Sequence, residues 1–383
     1  MAESNEIALD SNGWLWGWFS WSRCSSTMLR TVEKKIFSYL KTGYRGWYVD
    51  IGPVVGVSDK IWTISLNQDS PKTPIVLLHG LGAGVALWVL NLDTLAMHRP
   101  VYAIDLLGFG RSSRPVFSKQ AEEAENQLIN SVEEWRKEMQ LEKFVLLGHS
   151  MGGFLAASYA IQYPKRVKHL ILADPWGFLE KPNDVANKVG LPLWLKALTY
   201  VVIPLNPLWA VRFAGPFGQR LIETIRPDIV KKFAPFLKDD PSIISQYIHQ
   251  CNIQNPSGES AFYAMMQGFG WAKNPIVKRI DKLDPQISIT LLYGSRSWID
   301  NLNDETIKQI RSSSYVNVQI ISGAGHHVYL DKCDTFNKYV LEACALNDTN
   351  SKLMYSTNKE DLKLIENDDV KNNDIVKKKG VYN

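Results

Sequence analysis

Hydrophobic residues along this chain fall into short runs separated by longer amphipathic stretches. Six runs are apolar without alternation, which is typical of parallel strands buried on both faces. They cover residues 73–79, 100–105, 143–149, 168–174, 288–293 and 316–321. The earlier segments 47–51 and 60–66 alternate apolar and polar residues and predict an antiparallel lead-in. Because helical patterns such as 121–140 and 153–163 separate most of the runs, we expect a mostly parallel sheet with helices on both faces.

The spacing of the predicted strands has one interruption. About 110 residues separate the runs at 168–174 and 288–293, far more than a single crossover needs. We therefore predict a cap inserted at residues 179–274, between core segments 44–178 and 275–346. The apolar, proline-broken sequences of this insertion suit a lid that receives acyl chains.

The two ends of the chain differ from this central zone. Residues 24–43 have the spacing of an amphipathic helix, and residues 347–383 are polar without apolar periodicity, which predicts disorder. Tryptophan prefers the membrane–water interface, and basic residues follow the first segment, so we predict that residues 1–23 anchor to a lipid surface. The tryptophans of this anchor are Trp14, Trp16, Trp18 and Trp21.

Composition narrows the function class further. The chain has 383 residues, of which 45% are hydrophobic and 21% charged, which permits a large core and argues against wholesale disorder. A net charge of +4 gives no reason to expect a nucleic-acid partner. Its four cysteines lack metal-site spacing, and no apolar stretch is long enough to span a bilayer. We expect a cytoplasmic or peripheral protein without a metal or organic cofactor.

The strongest chemical motif is Gly148-His149-Ser150-Met151-Gly152-Gly153. It follows the predicted strand 143–149 and opens an alanine-rich helix, which is the strand–turn–helix context of a nucleophile elbow. Ser150 is then the nucleophile, and Gly148 and Gly152 leave room for the neighbouring strand and helix. The alternative is a glycine-rich turn whose serine only caps the helix.

A second loop, His79-Gly80-Leu81-Gly82, follows the predicted strand 73–79. It has the sequence of an oxyanion loop, which aims a backbone N–H at negative charge developing on the substrate. We assign that donor to Leu81, paired with the N–H of Met151. The motif alone is a common glycine turn, and it is its position before the nucleophile elbow that indicates an oxyanion loop.

A general base and an acid should follow the nucleophile in the sequence. His326, in a Gly-x-Gly-His sequence after the last strand, is the predicted base, and adjacent His327 is the competitor. The preferred acid is Asp300, in the loop after the penultimate strand. Asp174 is its rival because a few enzymes of this architecture carry the acid there, although a following proline marks a turn. Asp105, at another strand end, is expected to be structural.

With these residues in view, the chain resembles the α/β-hydrolase-domain-containing protein 4 and protein 5 subfamily. The matching stretches are residues 13–18, 79–88, 105–115, 148–157, 169–178 and 323–331. The resemblance covers about residues 13–345 and implies an α/β-hydrolase fold. It also implies one of two roles: a lysophospholipase acting on N-acyl phosphatidylethanolamines, or a lipid-droplet co-activator of triglyceride lipase.

Individual positions bear on these two roles. The co-activator branch carries a non-nucleophilic residue at the elbow, so Ser150 resembles the hydrolase branch. Arg296 and Gly325, however, match positions that the co-activator branch uses to stimulate its lipase partner. The subfamily is also credited with acylating lysophosphatidic acid through a His-x4-Asp motif, which His326 to Asp331 matches. Asp331 alternatively caps the last helix.

We therefore predict a peripheral serine hydrolase that cleaves acyl esters of phospholipids or lysophospholipids. The resemblance implies that it works at a lipid droplet or an intracellular membrane such as the endoplasmic reticulum or the mitochondrial surface. The alternatives are a droplet adaptor that engages triglyceride lipase and droplet coat proteins, and a lysophosphatidic acid acyltransferase.

Overall fold

A computed structural model describes residues 26–182, 207–268, 270–299, 304–346 and 348. The four tryptophans of the predicted anchor and Asp300 lie outside these residues, as do residues 349–383 of the predicted tail. Within the described helices, none is long and apolar enough to cross a membrane.

Eight strands form the main sheet. They are β1 (Tyr44–Gly52), β2 (Asp59–Leu66), β3 (Ile75–Leu78), β4 (Val101–Ile104), β5 (Phe144–His149), β6 (Val167–Ala173), β9 (Ser288–Gly294) and β10 (Val316–Ile321). Their order is β1-β2-β4-β3-β5-β6-β9-β10, antiparallel where β2 meets β1 and β4, and parallel elsewhere. The predicted mostly parallel sheet with an antiparallel lead-in is confirmed.

Helices and a small hairpin connect these strands. They are α1 (Ser26–Phe37), α2 (Val89–Leu95), α3 (Ala121–Glu138), α4 (Met151–Gln162), α5 (Pro207–Phe213), α6 (Gly218–Ile225), α7 (Pro227–Phe233), α8 (Ile243–Asn252), α9 (Ser257–Met265), β7 (Met266–Gln267), β8 (Trp271–Ala272), α10 (Asp304–Ile310), α11 (Val328–Asp331) and α12 (333–346). The predicted helices at 121–140 and 153–163 correspond to α3 and α4.

Both faces of the sheet are covered, as the unalternating runs require. Successive residues of a strand point to opposite faces, so β3 contributes to two separate cores. Val76 and Leu78 belong to the core that includes residues of α3 and α4. Ile75 and Leu77 belong to the core that includes residues of α1, α2 and α12.

Helices α5 to α9 and the β7–β8 hairpin come from the predicted insertion at 179–274. They contact the loops that follow the parallel strands. Asn252 of α8 donates its amide Nδ2 to the carbonyl oxygen of Gly82 at 2.8 Å. Arg114 donates to the carbonyl oxygens of Gly108 and Asn255, which links the core to the segment between α8 and α9. The boundaries of the insertion stay a prediction.

Candidate active site

Ser150 lies at a sharp turn between β5 and α4. Its backbone is in the left-handed region, with φ of +54°, which a residue with a side chain rarely adopts. The Ser150 N–H donates to the carbonyl oxygen of Ala173 at 3.1 Å, and its own carbonyl accepts from Phe154 and Trp176, each at 3.1 Å. The bonds with Ala173 and Trp176 hold the strained turn against β6 and the loop that follows it.

Two glycines make this turn sterically feasible. A Cβ atom on Gly148 would lie 2.2 Å from the carbonyl oxygen of Gly152. A Cβ atom on Gly152 would in turn lie 2.4 Å from the carbonyl oxygen of Leu78 on β3. Because both obstacles are backbone atoms, neither can move aside easily. The close packing of strand, turn and helix therefore accounts for both glycines in the motif.

A continuous chain of hydrogen bonds runs from Ser150 to a buried carboxylate. His326 Nε2 lies 3.0 Å from Ser150 Oγ, and His326 Nδ1 lies 2.6 Å from Asp174 Oδ2. The Gly294 N–H donates to Asp174 Oδ1 at 3.1 Å, and the Ser297 hydroxyl donates to Asp174 Oδ2. Asp174 is fully buried, so three donors fix the orientation of its carboxylate.

This arrangement favours Asp174 as the acid, and the assignment to Asp300 stays a prediction. The Nδ1 atom of His326 carries a single hydrogen, and the carboxylate of Asp174 is its partner. Asp174 follows β6, which pairs directly with β5, so its side chain starts next to the nucleophile turn. The rival weighed in the sequence analysis is thus the acid that the geometry supports, and Asp300 lies outside the described residues.

The predicted oxyanion loop passes beside Ser150. A Cβ atom on Gly80 would lie 3.0 Å from Ser150 Cβ and 2.9 Å from His149 Nδ1, so this position suits glycine. Leu81 is the next residue, and Gly82 turns the chain with φ of +70°. As the first residue of α4, Met151 has a backbone N–H without an intrahelical acceptor. Both assigned donors therefore belong to segments that border the serine.

Two buried side chains brace this loop. His79 Nε2 accepts from the Leu106 N–H at 3.1 Å, so the ring proton is on Nδ1, which donates to the Gly80 carbonyl at 2.8 Å. Burial lowers the pKa of His79, which keeps the ring neutral. Asp105 accepts from the Val85 N–H at 2.8 Å, which agrees with the structural role expected of it.

His149 is a buried site residue to which the sequence analysis gave no role. Its Nε2 donates to the carbonyl oxygen of His326 at 3.0 Å, which ties the base to the strand that carries the nucleophile. Burial and the nearby His326 hold the pKa of His149 well below its usual range. Burial, with His149 next, also holds the pKa of His327 well below its usual range. His326 thus has two neutral histidines beside it.

The loop from 323 to 326 is held by two charged side chains. Asp331 Oδ2 accepts from the Gly325 N–H at 2.6 Å, and the other oxygen pairs with Lys232. The Asp331 carboxylate therefore braces the loop, and this contact gives the His-x4-Asp motif a structural explanation. Arg296 donates its guanidinium to the carbonyl oxygen of Gly323. The two positions matched to lipase stimulation, Arg296 and Gly325, thus lie at the loop that carries the base.

The described groups suit acyl transfer. They supply a serine hydroxyl, a histidine hydrogen-bonded to it, a carboxylate behind the histidine and two segments with backbone donors. Within the described ranges, no three His, Cys, Asp or Glu side chains are grouped to hold a metal ion. Cys251, Cys333 and Cys344 are free thiols.

Comparison with known proteins agrees with the fold. A family model described as the alpha/beta hydrolase fold matches residues 73–332. Pig 1-acylglycerol-3-phosphate O-acyltransferase ABHD5 is 46% identical over 350 residues, covering 90% of this chain and 98% of the relative. Human (Lyso)-N-acylphosphatidylethanolamine lipase is 45% identical over 343 residues, covering 89% of this chain and 98% of the relative. The crystal structure of naproxen esterase from Bacillus subtilis superposes with a TM-score of 0.55 at 15% identity, covering 88% and 99%, and supports the fold alone.

Proposed function

Since the chain belongs to the α/β-hydrolase-fold family, in the subfamily of α/β-hydrolase-domain-containing proteins 4 and 5, we propose that it is a lipid hydrolase with Ser150, His326 and Asp174 as its triad. One observation carries this proposal: the unbroken hydrogen-bond chain at 3.0 and 2.6 Å that ends on a buried carboxylate. The substrates we propose are phospholipids and lysophospholipids, because one relative is named (Lyso)-N-acylphosphatidylethanolamine lipase.

In the first step, Ser150 Oγ attacks the carbonyl carbon of the acyl ester while His326 Nε2 takes the serine proton. The carbonyl electrons move to oxygen, which accepts hydrogen bonds from the N–H groups of Leu81 and Met151. The Asp174 carboxylate stabilises and orients the imidazolium of His326 that forms. The C–O bond to the lysolipid then breaks, and His326 returns the proton to the departing alcohol, which leaves an acyl-serine.

In the second step, water attacks the acyl-serine. His326 removes a proton from the water, the same two backbone groups hold the oxyanion, and Ser150 leaves as the alcohol after taking the proton. A free fatty acid departs. The residues of this chain perform both half-reactions with one site, because the base acts as acid in the second half of each step.

The direct test uses Ser150→Ala on N-acyl phosphatidylethanolamine in detergent micelles, with fatty-acid release as the measurement. We expect a loss of activity of about 10³-fold or more, since the nucleophile is removed. The matched control is Ser131→Ala, another buried serine, whose hydroxyl only bonds to the Leu128 carbonyl within α3. Full activity of Ser150→Ala would reject the triad.

Acyl transfer is the second candidate function, because ABHD5 relatives are named 1-acylglycerol-3-phosphate O-acyltransferase. In this case the hydroxyl of the lysolipid replaces water at the acyl-serine, and the same triad acts. The engagement of Asp331 with Gly325 and Lys232 favours one site over a separate acyltransferase centre. Adding 1-acylglycerol-3-phosphate to the micelle assay tests this: diacyl product that disappears in Ser150→Ala supports transfer at the triad, and product that persists contradicts it.

We also propose a lipid-surface location for the chain, with Trp14, Trp16, Trp18 and Trp21 as the anchor. The interfacial preference of tryptophan supports this proposal. Replacing all four by Ala should release the protein from phospholipid vesicles and droplets while a soluble ester is still hydrolysed. The adaptor role is the third candidate, with Arg296 and Gly325 as the residues that take part and droplet coat proteins as further partners. Its test measures how far Ser150→Ala protein stimulates triglyceride lipase. Lipase stimulation equal to that by the wild-type protein would favour the adaptor role.

A further inference from the structure

The imidazole of His326 has a large apolar neighbour. The ring of Trp298 lies with its centroid 5.0 Å from that of His326, in the loop after β9. Trp298 is 71% exposed, which is unusual for an indole that packs on a site residue. On another side lie His327 and Arg226, whose guanidinium Nη2 is 3.5 Å from His327 Nδ1, and they form a polar boundary. The surroundings of His326 are therefore apolar on one side and polar on another.

Trp298 is one wall of a small pocket of about 120 Å³. The side chains that line it are Trp176, Phe178, Leu179, Trp271, Trp298 and Ile299. The indole N–H of Trp176 is already used, since it donates to the Gly270 carbonyl. Among the residues that the structure describes, no charged side chain lines the pocket, and its six lining side chains are aromatic or aliphatic.

This pocket is connected to two members of the triad. The backbone N–H of Trp176 donates to the carbonyl oxygen of Ser150 at 3.1 Å, and the Trp298 ring packs on His326. Two residues that line the pocket therefore contact Ser150 and His326.

We propose that this aromatic pocket holds the first part of the substrate's acyl chain, next to the scissile carbonyl. This inference rests on the proposed hydrolase function. Each methylene moved from water to an apolar wall strengthens binding by about fourfold, so a carbon-lined pocket discriminates among chains by length. Because the chain and the carbonyl are joined, the same contacts orient the ester toward Ser150 Oγ.

A cationic head group is the other ligand that indole walls can bind, through cation–π contacts. Sites of that kind gain from a nearby negative charge, and none of the described side chains that line this pocket is acidic. Of the charged residues next in sequence to the lining, Glu180 is already paired with Lys278, Lys181 is cationic, and Asp300 lies outside the described residues. The charges of the described residues therefore favour a hydrocarbon chain.

The test compares two soluble esters, 4-nitrophenyl octanoate and 4-nitrophenyl acetate, below their micelle concentrations. The readout is the ratio of their kcat/KM values, since a general defect in catalysis cancels in the ratio. Leu179→Trp narrows the pocket and Trp298→Ala removes a wall. We expect each variant to lower the octanoate-to-acetate ratio by roughly tenfold, the equivalent of losing about two methylene contacts.

Trp209→Ala is the matched control, because Trp209 is a partly exposed tryptophan that stacks on Phe213 and does not line the pocket. It should keep the wild-type ratio. An unchanged ratio in either pocket variant would overturn the proposal, as would competitive inhibition by tetramethylammonium that Trp298→Ala abolishes. A failure of the hydrolase function is distinguishable, because wild-type protein would then hydrolyse neither ester faster than Ser150→Ala protein.

Discussion

Replacing Asp174 by Asn keeps the size of the side chain and removes the charge that faces His326. The amide oxygen, in the place of Oδ1, can still accept from the Gly294 N–H, whereas the NH2 group takes the place of Oδ2, which accepts from the Ser297 hydroxyl and faces His326 in the wild type. Its NH2 group then points toward His326 Nδ1 and favours the tautomer in which Nδ1 is unprotonated. In that tautomer Nε2 carries the proton and cannot take one from Ser150.

The size of the effect follows from burial and distance. Asp174 is fully buried and its oxygen lies 2.6 Å from His326 Nδ1, so bulk water screens the pair weakly. Opposite charges with centres about 4 Å apart interact by about 4 kcal/mol at an effective dielectric constant of 20. This interaction is strongest in the transition state, when the imidazole is charged, so its loss slows the reaction by about 10³-fold.

The assay is kcat for a soluble 4-nitrophenyl ester with Asp174→Asn and Asp300→Asn, with calorimetric melting to show that both variants are folded. Asp300→Asn is the matched control, because it makes the same chemical change at the acid preferred from sequence. We expect Asp174→Asn to lose about 10³-fold and Asp300→Asn less than about threefold. A larger loss in Asp300→Asn would refute the reasoning from the His326 geometry.

Two further predictions concern buried histidines. His149→Leu removes the donor to the His326 carbonyl, so it should lower kcat by about tenfold and shift the pH–rate profile. His149→Gln keeps an N–H donor and should recover most of the activity. Equal activity of the two variants would argue against a positioning role for His149. For His169, burial lowers the pKa to about 4 in the folded state from the usual 6.5, so the unfolded chain binds its proton first as the pH falls. The free energy of unfolding should therefore drop between pH 6.5 and 4, with up to about 3 kcal/mol due to this residue. Urea titrations of His169→Phe should show a smaller drop than wild type, and an identical drop would contradict this assignment.

The strands of the core were predictable because burial on both faces requires a short run of apolar residues without alternation. Predicted runs 143–149 and 316–321 correspond to β5 and β10 to within a residue. The nucleophile turn was predictable for a similar reason, since the close approaches of Gly148 and Gly152 to backbone atoms restrict both positions to glycine.

The choice between the two candidate acids was harder to make from the sequence because it depends on the path of a loop. Sequence order places an aspartate after both β6 and β9, and either could reach a histidine that follows β10. In the structure, Gly294 at the end of β9 and Ser297 in the following loop donate to Asp174, whose Oδ2 lies 2.6 Å from His326 Nδ1, and these contacts favour Asp174. An Asp-Pro pair directly after a strand was the available signal, and it also fits an ordinary turn.

His149 was missed because its role is made by tertiary contacts. A histidine before the nucleophile has no periodicity or spacing that separates it from a filler residue. Its function as a donor to the His326 carbonyl follows only when β5 and the loop after β10 are placed side by side. The aromatic pocket is similar, since its indoles come from three separate loops and strands.

The most direct test of the central claim is labelling of the purified full-length protein with a fluorophosphonate, followed by mass spectrometry of the tryptic peptides. An activated serine attacks the phosphorus and becomes covalently modified. We predict one adduct, on Ser150, that is absent in Ser150→Ala and forms much more slowly in Asp174→Asn. Folded wild-type protein that stays unlabelled at Ser150, or that is labelled at the same rate when Asp174 is replaced, would contradict the account.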